Sequence, residues 1–145
     1  MENEIKIPNI SNYIMEIVDD TLILTSKIKY ITESDMNKIC LLDSIILSCK
    51  INDEDVDRLK YKSILIYIYK QMTANMILQN TEMNIKLVET NENGYTWYKD
   101  IHMSIQGKDS NLTFKEIIRM IKLNKMKLDI EIQLKHKEII HFIYI

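Results

Sequence analysis

The sequence predicts an α+β fold: a mainly helical part over residues 1–80, then two β-hairpins flanking one helix over residues 81–145. The ββαββ part is expected to form a largely antiparallel sheet covered on one face by helices. Three observations carry this expectation. Apolar residues recur at helical spacing through the first half, and at Thr81 the period changes from about 3.6 residues to 2. Between two alternating stretches, Thr113 and Glu116 form a capping-box pattern ahead of the helically spaced Phe114, Ile117, Ile118 and Ile121.

Ile10, Tyr13, Ile14, Ile17 and Val18 occupy one helical face behind Pro8 and Ser11, which predicts a short N-terminal helix. The run from Thr21 to Tyr30, rich in β-branched residues and bounded by Asp19-Asp20, reads as a strand or extended linker. Thr32 with Asp35 marks a helix start, and residues 36–49 carry apolar side chains around most of a helical circumference, so a buried central helix is expected there. Asn52 with Asp55 offers another cap, with Asp53, Glu54 and Asp57 supplying negative charge at a helix start. A long helix then follows to about Gln79. Its middle, Ile64 to Tyr69, is as apolar as a buried strand; length and the lack of turn residues between Asp53 and Gln79 favour helix.

Met83, Ile85 and Leu87 alternate with polar neighbours, and residues 91–94 form a turn cluster ending in Gly94. Tyr95, Trp97, Ile101, Met103 and Ile105 then share one face, completing a hairpin. After the capped helix, Met126, Leu128, Ile130, Ile132 and Leu134 alternate with polar residues, Lys135 to Lys137 turn the chain, and residues 139–145 are apolar on both faces. A two-sided apolar strand belongs inside a sheet or against another molecule. If its edge were free, pairing across a two-fold axis through Ile139, His141, Ile143 and Ile145 would hide it, which predicts a homodimer.

Composition removes more functions than any motif adds. The 145 residues include two glycines, Gly94 and Gly107, whereas phosphate-cradling loops, dinucleotide turns and nucleophile elbows need glycines where Cβ has no room. Few Gly, Ala, Arg and Pro beside abundant Ile, Lys, Asn and Tyr indicate A/T-rich coding, as in a low-GC bacterium, its mobile elements or a large DNA virus. A chain of this length is expected to form a single domain, burying roughly 68–70% of its unfolded surface. No export signal or apolar span is expected, which places the protein in the cytoplasm of a producing bacterium or an infected host cell. Cys40 and Cys49 are expected to be free and buried, because nine helical residues separate them by about 13.5 Å.

Candidate chemistry is sparse. Asp53, Asp55 and Asp57 have the spacing of a calcium loop, but Arg58 and Ile64 stand where that loop needs glycine and a carboxylate. His102, His136 and His141 read as surface side chains rather than zinc ligands, and neither cysteine has a nearby group to activate it. The expectation is therefore a non-enzymatic chain with no catalytic residues, no metal and no cofactor. A net charge of −2 and only Arg58 and Arg119 as arginines lower the odds of nucleic-acid reading.

The polar face of the expected sheet would present Lys86, Tyr98, Asp100, His102, Lys127, Asp129 and Glu131, a mixed-charge surface suited to a protein partner. The function expected first is an inhibitor, immunity or host-interaction module that masks a partner's surface. A winged-helix-like nucleic-acid-binding regulator is the alternative, since helices followed by a hairpin tipped at residues 91–94 follow that order.

Overall fold

The computed structural model describes residues 13–26 and 28–145, and the fold is α+β. The described residues form four α-helices, a mixed five-stranded sheet, a three-stranded antiparallel sheet and a two-stranded hairpin. That hairpin is β1, Tyr13–Val18, and β2, Thr21–Ser26. Asp19 and Asp20 join the strands with φ values of 49° and 62°. A two-residue hairpin turn needs positive φ at both positions, which Asp tolerates well among residues bearing a Cβ. The helix expected over residues 10–18 is thus a strand from Tyr13 on; residues 10–12 lie outside the described residues.

The five-stranded sheet has the order β3-β10-β9-β4-β5: β3 Ile28–Ile31, β4 Ile45–Ile51, β5 Glu54–Asp55, β9 Leu128–Gln133 and β10 Ile139–Tyr144. The β3–β10 pair is parallel, and every other pair is antiparallel. The helix expected over residues 36–49 is a single turn, α1 (Glu33–Met36), followed by a loop and β4. A β-bulge between Ile46 and Ser48 explains the misreading. It spaces the buried residues Ile46, Cys49 and Ile51 at intervals of three and two, which imitates a helical stripe. Asn52 and Asp53, expected as a helix start, form the β4–β5 turn with φ values of 52° and 67°.

The long helix expected to Gln79 is two helices, α2 (Tyr61–Tyr69) and α3 (Ala74–Asn80), so Ile64 to Tyr69 is helical. Thr73 caps α3 by accepting a hydrogen bond from Met76 N at 3.2 Å. In the second half, β6 (Ile85–Lys86) pairs with β8 (Met103–Gln106), and β8 pairs with β7 (Tyr95–Tyr98). A 3-10 turn at Lys99–Ile101, with His102 at φ 52°, divides what the sequence presents as one strand. The helix α4 spans Ser110–Leu123, and its cap is Asp109, which accepts from Leu112 N at 2.8 Å. Thr113 and Glu116 are therefore not a capping box; both sit inside the helix and are buried.

The inner face of the five-stranded sheet meets α4 and α2. Ile130, Ile132, Ile140 and Phe142 are buried there, Phe142 meets Phe114 edge to face at 6.3 Å, and Phe114 meets Tyr61 at 6.1 Å. Each such aliphatic side chain contributes about 1.5–3 kcal/mol through removal from water. Glu116 ties this layer to the helix ends: its carboxylate accepts from the Tyr69 and Thr81 hydroxyls, each at 2.5 Å, and from Glu82 N at 3.2 Å. Both cysteines are free, but Cys40 is exposed and only Cys49 is buried, because residues 37–44 form a loop rather than a buried helix. No helix among the described residues is long and apolar enough to cross a membrane.

Candidate functional site

Register places three cross-strand rows on the outer face of the five-stranded sheet. The first runs Ile45, Gln133, Ile139 and Ile28; the second Ser48, Glu131, His141 and Tyr30; the third Asp55, Lys50, Asp129 and Ile143. Strand alternation creates this face, since the intervening residues Ile46, Cys49, Ile130, Ile132, Ile140 and Phe142 point into the core. Apolar side chains stand at its margins, with Tyr30 68% and Ile45 59% exposed. Polar groups occupy the middle.

Those central groups are ordered by short-range contacts. His141 Nε2 lies 2.5 Å from Asp129 Oδ1, a diagonal neighbour on β9, and the His141 ring stacks on Tyr30 with centroids 4.9 Å apart. Ser48 Oγ donates to Glu131 Oε2 at 3.3 Å. Among the described residues no cation lies within ion-pairing distance of Glu131. On the opposite face beneath, burial pushes the Cys49 thiol up to about 12, with the Asp129 charge adding to the effect. The Ser48 hydroxyl is held by the Glu131 carboxylate, and the Cys49 thiol faces the core. Among the described residues no group of three His, Cys, Asp or Glu side chains could hold a metal ion. The face presents apolar margins, an aromatic ring and carboxylate acceptors.

The seven residues expected to share one polar face divide between the two sheets. Lys86, on β6, places its Nζ 4.6 Å from the Tyr95 ring centroid, and Tyr98, on β7, is half-buried. Asp100 and His102 lie in the connection between β7 and β8. Asp100 pairs with Lys70 at 2.9 Å, and that bond holds its carboxyl below the usual carboxylate range. Lys127, just before β9, lies 3.9 Å from Asp53, while Asp129 and Glu131 belong to the outer face of β9. The expectation joined both hairpins into one sheet; the structure builds a separate sheet from β6, β7 and β8, so a common face does not form.

Ile139, His141 and Ile143 lie outward on β10, and Ile145 beyond the strand is 90% exposed. The interior position expected for this strand is found: β9 pairs along one edge and β3 along the other from Ile139 to Phe142. The chain itself therefore fills the edge through which a dimer was expected to form. Tyr30 and Ser48 were missed as members of the face, Tyr30 because its segment read as a strand or extended linker with no assigned sheet and Ser48 because its segment read as a helix. The outward alternation of His141 with Ile139 and Ile143 was the one available signal. No protein-family model matches this chain, and no curated protein or solved structure matches it either.

Proposed function

We propose that this protein is a non-enzymatic binding module that masks the surface of a protein partner with the outer face of its five-stranded sheet. It acts as an inhibitor, immunity or host-interaction protein of a low-GC bacterium, its mobile element or a large DNA virus. The observation that carries this reading is the three-row pattern: exposed Tyr30 and Ile45 at the margins around the ordered His141–Asp129 and Ser48–Glu131 pairs. Large apolar or aromatic anchors beside prearranged polar groups suit protein recognition, since their geometry is set before the partner arrives.

Glu131 adds a condition on the partner. Covering a carboxylate that no described residue pairs with a cation costs desolvation energy unless the partner brings one, so the complementary surface carries Arg or Lys opposite Glu131. The winged-helix alternative loses the element order that motivated it, because residues 36–49 hold a strand where that reading needs a helix. A native pulldown from the source cell, divided and treated with nuclease in one half, tests the proposal. A stoichiometric protein partner that survives nuclease supports it. Recovery of nucleic acid, or of proteins lost on nuclease treatment, replaces it with the nucleic-acid reading.

A further inference from the structure

A separate groove of about 400 Å³ lies between α2, the segment after β5 and the end of β7. Val56 and Ile66, both buried, line it together with Arg58, Ser63, Tyr67 and Tyr98. The side chains of these four residues make no hydrogen bond or ion pair with any described residue. The Lys70–Asp100 ion pair also lines the groove, so Asp100 is already engaged and Asp57 is the remaining carboxylate in the lining. Arg58 is therefore the lining cation not already paired, with three hydroxyls able to donate, beside apolar and aromatic surface on which a flat body can lie.

We propose that this groove binds a small organic anion with a flat aromatic body, an aryl carboxylate or aryl phosphate. The Arg58 guanidinium meets the anion in a charge-assisted bond, the Ser63 and tyrosine hydroxyls donate to its remaining oxygens, and the ring lies against Val56, Ile66 and the tyrosine faces. The Tyr98 hydroxyl, pushed above the ordinary tyrosine range by burial, is protonated at neutral pH as any tyrosine is. Asp57 opposes the anion, which makes charge selectivity the decisive property.

The test is a ¹⁵N-resolved titration of the full chain with benzoate and phenyl phosphate, with benzamidine as the flat aromatic probe of opposite charge. Saturable shifts at Arg58, Ser63 and Tyr98 with the anions are expected, with benzamidine at least about tenfold weaker. Arg58→Gln, an exposed substitution, is expected to weaken phenyl phosphate by about tenfold or more while leaving resonances of the five-stranded sheet in place. A capped phosphotyrosine dipeptide separates two sources of the same chemistry: tighter binding than phenyl phosphate assigns a peptide-borne anion, and equal or weaker binding a free molecule. Absence of saturable shifts with both anions, equal or preferred binding of benzamidine, or unchanged affinity in Arg58→Gln overturns the proposal.

Discussion

His141 stands directly opposite Glu131 in the β9–β10 ladder, yet its Nε2 lies against Asp129, one position along the diagonal, at 2.5 Å. Glu131 is thereby left to Ser48 on its other side. The choice preserves one carboxylate at the centre of the face with no cation from any described residue. A double-mutant cycle on Asp129→Ala and His141→Ala, read by denaturant unfolding, should give a coupling of about 0.2–1 kcal/mol, whereas the cycle on Glu131→Ala and His141→Ala should give a coupling near zero.

Glu116 is 2% exposed, and its acceptor capacity is taken up by Tyr69, Thr81, Glu82 N and Arg119. Removing it leaves the Tyr69 and Thr81 hydroxyls with only each other and takes the acceptor from Glu82 N. Glu116→Ala should destabilise the protein by about 2–4 kcal/mol, and Glu116→Gln, which keeps one acceptor, by about 1–2 kcal/mol. Equilibrium urea denaturation measures both. If Glu116→Ala cost no more than an exposed substitution such as Lys115→Ala, the clasp would not be structural.

Cys40 and Cys49 should separate cleanly in thiol chemistry. Cys40 is exposed, whereas Cys49 is buried with its thiol pushed up to about 12. A thiol at that value has roughly one thiolate in ten thousand at pH 8, and burial blocks access as well. Ellman's reagent should therefore titrate one thiol per chain in the native protein and two in guanidinium, with Cys40→Ser abolishing the native reaction.

Asp100 should titrate below an ordinary aspartate. Its hydrogen bond to Lys70 is the principal cause, and the Lys70 charge acts in the same direction. Because the folded value lies below the unfolded one, any stability from this pair is present above the unfolded aspartate value and is lost as pH falls through the folded one. An NMR titration of the side-chain carboxyl checks this: Lys70→Met should raise the Asp100 midpoint toward that of a free aspartate.

How legible this fold was depended on whether local spacing matched three-dimensional periodicity. The alternation of β9, the helix α4 and the interior position of β10 were readable because their burial follows a simple period. β4 was not, since one bulged residue converts a strand's spacing into a helix-like one. The pairs Asp19-Asp20 and Asn52-Asp53 read as a boundary and a cap, since Asp and Asn serve those roles as readily as the positive-φ turn positions they occupy. The candidate face was half legible: Asp129 and Glu131 were identified from β9, but their neighbours Ser48 and Tyr30 arrive from strands distant in sequence.

The account's central claim is that the outer face of the five-stranded sheet meets a protein partner. Its most direct test is nuclease-treated native pulldown from the source cell with three baits: the natural chain, a Tyr30→Asp/Ile45→Lys face variant, and a Leu87→Lys control at an exposed position beside β6. The account predicts one stoichiometric protein with the natural chain and the Leu87→Lys control, lost with the face variant although its circular dichroism and unfolding midpoint remain native. Equal capture by all three folded baits, or loss only with Leu87→Lys, would contradict it.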